Sequence, residues 1–90
     1  MSQAVVDPGE LKRFASHLKQ FNTELRERVA SLHGHLLSLG DTWRDQEHQK
    51  FTEQFEQTMQ VIDNFLEVAE LHIPFLLRKA ERVEEYLHQR

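Results

Sequence analysis

The chain contains no cysteine, so neither a disulfide nor a thiolate metal site can make up for a small core. Only three glycines are present, Gly9, Gly34 and Gly40, and they form no glycine-rich phosphate loop. A Gly-x-Ser-x-Gly elbow is missing too, and a narrow helical bundle offers no cleft for catalysis, so no enzyme and no catalytic residue is expected. No run approaches the roughly 18 apolar residues of a membrane span. The opening Met1-Ser2-Gln3-Ala4-Val5-Val6 lacks the basic and apolar regions of a signal peptide. Basic excess is absent as well: the net charge is -4. Residues 41–77 carry eight acids (Asp41, Asp45, Glu47, Glu53, Glu56, Asp63, Glu67, Glu70) against Arg44 and Lys50. Such a segment repels phosphate, which argues against a nucleic-acid partner. There are no internal repeats and no low-complexity tract.

What the chain does have is period. Leu11, Leu18, Leu25, Leu32 and Leu39 fall seven apart, with Phe14, Phe21, Val29 and Leu36 between them. Later, Phe55, Ile62, Ala69, Leu76 and Val83 form one row. Met59, Leu66, Ile73, Ala80 and Leu87 form a second, four positions on. Apolar residues at steps of three and four place one stripe along each of two long helices. Gly40-Asp41-Thr42 separates them and is too short to divide domains. The expectation is one all-α domain over residues 1–90, an antiparallel two-helix hairpin with helix one at about 8–39, the turn at 40–42 and helix two at about 43–89.

Local signals support these limits. Asp7-Pro8-Gly9-Glu10 reads as a helix start, with Asp7 accepting first-turn amides, Pro8 at the first position, Glu10 completing a capping box and Val6 stapled on Leu11. Gly40 suits a left-handed C-terminal residue. Asp41 or Thr42 is the expected next cap, and Thr42 with Asp45 makes a second capping-box pattern. Pro74 removes one backbone hydrogen bond and crowds the carbonyl of Glu70, so a kink is expected there; a break giving a third helix is the alternative.

Helix two is too apolar for one neighbour. Between Val61 and Leu77 its apolar residues fill four heptad tracks, spanning roughly 160° of surface. Helix two is also longer, which would leave residues after about Pro74 overhanging the hairpin, with Leu76, Leu77, Val83, Tyr86 and Leu87 uncovered. Two hairpins side by side would make a dimeric four-helix bundle and cover both. Ile62, Phe65, Leu66, Ala69 and Ile73 are the expected dimer face.

The polar residues on these stripes have plain structural explanations. Arg28 lies about level with Glu53 and Glu56 and is expected to set the register through an ion pair. Trp43 can plug the open end of the hairpin, anchored by its indole N–H. Gly34, inside helix one, suggests close approach of another helix. None of the six histidines is three or four from another, so no helix face carries two ligands, and no metal or other cofactor is expected. His33 and His48 are about equidistant from the turn and could meet across it.

With a capped first helix (Val6-Asp7-Pro8-Gly9-Glu10-Leu11), Trp43-Arg44-Asp45 at the turn and Phe51 eight residues after the tryptophan, the chain resembles the WXG-motif family. These are the early-secreted-antigen-like helical hairpins of type VII secretion. Asp45 stands in place of the motif's glycine. Where family members end in Tyr-x-x-x-Asp/Glu, the chain has Tyr86 followed by Arg90. The resemblance implies a dimer with itself or with a related small helical protein, leaderless export by a secretion ATPase, and Trp43, Asp45 and Phe51 as the turn motif. The competing expectation is a cytoplasmic helical adaptor or assembly protein with no export role. A membrane-surface helix is disfavoured, since the polar face is acidic where lipid headgroups call for Lys and Arg.

Overall fold

The computed structural model describes residues 6–88. Two helices and their connection make up all of it: α1, Pro8–Ser38; a single 3-10 turn, Leu39–Asp41; and α2, Gln46–His88. They lie antiparallel in a rod of 68 × 23 × 16 Å. α2 has 43 residues and at about 1.5 Å per residue runs nearly the length of the rod. Among the described residues there is no strand, so the chain is the all-α hairpin expected of it.

α1 begins as its sequence asks. Asp7 is extended, and its Oδ1 accepts from the amides of Gly9 (2.8 Å) and Glu10 (3.3 Å), with Pro8 at the first position. Glu10 does not close the capping box: its carboxylate pairs forward with Arg13 at 3.1 Å. The other end differs from expectation. No glycine takes a positive φ. The chain leaves α1 through the 3-10 turn, with the amides of Thr42 and Trp43 both donating to the carbonyl of Leu39, and Gly40 needs no left-handed geometry.

α2 starts at Gln46, three residues later than Trp43. Its cap is Asp45, not Asp41 or Thr42: Asp45 Oδ1 accepts from the His48 amide at 3.2 Å and its carbonyl from Gln49 at 3.4 Å. A carboxylate two positions past the tryptophan satisfies one of the orphan amides, that of His48, and Trp43 and Arg44 stay outside the helix. α2 then runs unbroken through Pro74, which removes the three-helix alternative. Its expected end at residue 89 lies outside the described residues.

The seam of α2 follows the two expected rows: Leu66, Ala69 and Ala80 are buried, while Phe55, Met59, Ile62, Ile73, Leu76 and Val83 are half-buried. α1 behaves differently. Leu11, Leu18 and Leu25 stay on the seam, but the residues that join them are Ala15, Asn22, Val29 and Leu36, four positions on. Phe14 and Phe21, three positions on, are exposed, as are Leu32 and Leu39. Near the turn His33 replaces Leu32 on the inner face. The reason is size. Ala15 on α1 and Ala80 on α2 are, with Leu66 and Asn22, the most deeply buried of the described positions, and Ala69 and Leu36 follow; small residues let two backbones approach to the 8–10 Å of close helix packing. A phenylalanine row facing the same seam would hold them apart.

Among the described residues, three side-chain contacts tie the helices together: the ion pairs Lys12–Glu84 at 2.8 Å and Arg26–Glu70 at 2.7 Å, and the His33–Glu56 hydrogen bond at 3.2 Å. The first of these corrects the expected overhang. α2 remains against α1 well past Pro74, with Ala80 fully buried and Leu76 and Val83 half-buried, while Leu77, Tyr86 and Leu87 are exposed. The chain spends residues 39–45 on the connection, so α2 starts later than a three-residue turn would allow.

Candidate interaction surface

These three cross-helix contacts also define the sides of the rod. Lys12, Arg26 and His33 each follow a residue of the leucine row (Leu11, Leu25, Leu32), and Glu84, Glu70 and Glu56 each follow a residue of the first α2 row (Val83, Ala69, Phe55). Equivalent heptad positions of antiparallel helices therefore meet on one flank. One step along a helix turns about 100°; three steps, or one step back, turn it the other way. So Phe14 and Phe21, three after their leucines, and Phe65, three after Ile62, lie on the opposite flank. Val61, Val68 and Phe75, one before the α2 row, lie there too. One flank is charged and tied. The other is apolar and open.

All six of those apolar residues are exposed, from 47 % at Phe21 to 67 % at Val61. Together they leave on the order of 500–600 Å² of apolar surface facing solvent, at the upper end of what a soluble monomer leaves open. Phe75 carries polar company: Arg78 lies over its ring at 4.8 Å and His72 meets it edge-on at 6.2 Å. His72 is held by its Nδ1, which donates to the Val68 carbonyl at 2.9 Å.

This geometry changes the expected dimer face. Leu66 and Ala69 are buried inside the hairpin, with Ile62 and Ile73 half-buried on the same seam. Of the five residues only Phe65 remains outside, 49 % exposed. The wide stripe of α2 really is two seams sharing a helix, and the hairpin takes the one that carries the alanines. Arg28 is exposed and makes no ion pair among the described residues; its expected acceptor Glu56 is held by His33. Arg28 instead lines a shallow open groove on α1 with Glu27, Ser31, Leu32 and His35. Its track is that of Phe14 and Phe21, which faces away from the helical seam.

At the turn, Trp43 is half-buried and meets His48 edge-on, with ring centroids 4.9 Å apart. His48 is fixed in turn: its Nε2 donates to the Leu36 carbonyl at 3.0 Å. Arg44 Nε donates to the Gly40 carbonyl at 3.0 Å and Thr52 Oγ1 to the His48 carbonyl at 2.8 Å. The expected anchor of the indole is absent: its N–H makes no hydrogen bond among the described residues, and Trp43 is held by its backbone amide on the Leu39 carbonyl and by its ring contact with His48. Asp45 is the α2 cap, and Phe51 is exposed and tilted on Phe55 at 6.3 Å. His33 and His48 do not meet. His33 stacks on Phe55 and bonds Glu56, whereas His48 faces Trp43 and Leu36. No group of three or more His, Asp or Glu among the described residues is placed to hold a metal ion. Gly34 has no atom within 4 Å of where its Cβ would stand, so α2 does not approach it. No described helix is long and apolar enough to cross a membrane. The position of Arg90, which stands for the acidic residue after Tyr86, lies outside the described residues.

The arrangement was legible in part. Both α2 rows could be read from spacing, but Asn22 in the α1 seam and Phe14 and Phe21 outside it could not. Ala15 was the available signal, a small residue in the track of Val29 and Leu36.

The family model for proteins of about 100 residues with a WXG motif matches residues 3–86 of the chain. The chain belongs to that family of small helical proteins associated with type VII secretion. No curated protein and no solved structure matches it.

Proposed function

We propose that this WXG-family chain is a non-enzymatic helical-hairpin protein that works as a dimer, exported by a leaderless type VII-like route or serving as the small partner of an exported chain. The observation that carries the reading is the open apolar flank of Phe14, Phe21, Val61, Phe65, Val68 and Phe75. Burying it against a second copy, or against a related small hairpin, gives a four-helix bundle in which each chain contributes an area approaching the ~800 Å² per partner of a stable interface. The dimer face is then Phe65 with those neighbours, rather than Leu66 and Ala69. Trp43 and Phe51 stand at the turn end with aromatic surface and an unbonded indole N–H to offer a secretion ATPase, and Asp45 holds the turn that presents them.

Sedimentation equilibrium on the wild type, Phe65→Asp and Val68→Asp tests the dimer. A wild-type dimer that either aspartate splits, with helicity retained, supports the flank, since each variant would bury an unpaired charge only in the assembly. An unaltered dimer mass in both places the contact elsewhere. A wild type that stays monomeric at all concentrations sends the search to a different hairpin, sought by co-expression. Export is tested separately. Trp43→Ala should abolish secretion while leaving the dimer mass unchanged, and undiminished secretion refutes a role for the indole.

A further inference from the structure

One seam residue is out of place chemically. Asn22 is 2 % exposed, and neither its Oδ1 nor its Nδ2 has a hydrogen-bond partner. Buried carboxamides are ordinarily satisfied, and each unsatisfied group carries a desolvation penalty. Its level on the partner helix is set by Arg26, one turn further along α1, whose guanidinium meets the Glu70 carboxylate at 2.7 Å. Glu70 is four residues before Pro74. Pro74 has no N–H, so the Glu70 carbonyl loses its usual helical donor. The hairpin therefore has its unsatisfied side chain and its interrupted backbone ladder at the same height.

Packing on the two sides of that height is unequal. Towards the turn, Leu25, Val29 and Leu36 face Phe55, Met59, Ile62 and Leu66. Leu36 and Leu66 are buried in that half, whereas towards the chain ends the buried residues are alanines, Ala15 and Ala80, with Leu11, Leu18, Leu76 and Val83 only half-buried beside them. Alanine burial removes little apolar area, so the far half of the seam is the weaker half.

We propose that Asn22 and Pro74 form a hinge at which the last part of α2, residues 75–88, parts from α1 residues 8–21 while the turn half stays packed. Opening hydrates the Asn22 carboxamide, the buried side chain that the closed seam leaves without a partner, and Pro74 supplies the interrupted ladder at which α2 can bend. It also uncovers a second apolar strip, Leu76, Ala80 and Val83, distinct from the open flank. The closed and open forms are thereby brought near in free energy by a polar residue where the heptad calls for an apolar one.

Hydrogen exchange on the full chain, read by mass spectrometry on overlapping peptides at one protein concentration, tests this. In the wild type, peptides from residues 8–21 and 75–88 should exchange together as a block, at least about tenfold faster than those from 25–36 and 55–70. In Asn22→Leu the block should slow by about tenfold or more, because the desolvation penalty that favours opening is gone. Asn22→Ala removes the same polar atoms without adding volume, and should slow the block even if leucine proves too large for the site. A smooth gradient from the ends of the helices would be fraying and would overturn the hinge. So would both variants leaving the block unchanged, or slowing the two halves equally.

Discussion

Phe65 and Leu66 are neighbours in sequence with opposite environments, and truncating each to alanine separates the two seams of α2. Leu66 is 1 % exposed, the largest side chain buried so fully. Leu66→Ala removes three carbons and leaves a cavity in a seam only two helices thick, so a cost of about 3 kcal/mol is expected, within the range for buried leucines. A domain of this length has roughly 5–13 kcal/mol in total, so the loss should lower the melting temperature by about 12–24 °C. Phe65 is half-exposed and opens no cavity. Phe65→Ala should cost about 1 kcal/mol in the isolated hairpin, the share of a phenylalanine's burial that the hairpin itself supplies. The assay is far-UV circular dichroism melting over a wide range of protein concentration. Leu66→Ala should be strongly destabilised at every concentration. Phe65→Ala should be near wild type when dilute and fall progressively behind it as concentration rises, since an interface residue stabilises by mass action. Equal, concentration-independent losses in the two variants would mean that both residues face α1, and the phase assigned to the hairpin would be refuted.

Gly34→Ala should stabilise the hairpin by about 1 kcal/mol in urea unfolding, because the added methyl meets nothing and a helix-interior glycine is replaced; destabilisation would mean that another chain packs against Gly34. Asp45→Ala should cost about 1 kcal/mol through loss of the α2 cap, visible as a lower urea midpoint, and Asp45→Asn should recover most of it. Arg26→Ala should change stability by less than about 1 kcal/mol, since the Arg26–Glu70 pair is half-exposed on both sides, and raising salt should shrink even that difference.

Much of the fold could be read directly. Asp7-Pro8 and the glycine at position 40 bracket α1 to within a residue or two, because capping is a local matter between a side chain and the amides beside it. The start of α2 was harder. Thr42 and Asp45 both have capping side chains, and the choice between them depends on how the chain leaves the 3-10 turn and on where His48 reaches back to the Leu36 carbonyl. Arg28 illustrates a longer-range failure. Counting levels from the turn brings it beside Glu56, but a level says nothing about which way the side chain points around the helix, and His33 occupies the flank where that carboxylate lies.

By itself, then, the amino-acid order determined two helices, their approximate ends, their antiparallel return and the two rows by which α2 meets α1, since period and caps are properties of neighbouring residues along one chain. Only the tertiary structure decided which side of the leucine row on α1 turns inward. Phe14 and Phe21 lie three residues after their leucines, Ala15 and Asn22 four, and either set completes a seven-residue seam. Larger apolar area favours the phenylalanines; close backbone approach opposite Ala69 and Ala80 favours the small residues. The hairpin adopts the second, with Asn22 buried and the aromatic flank outside. That choice depends on the size of residues more than forty positions away, which no local period records.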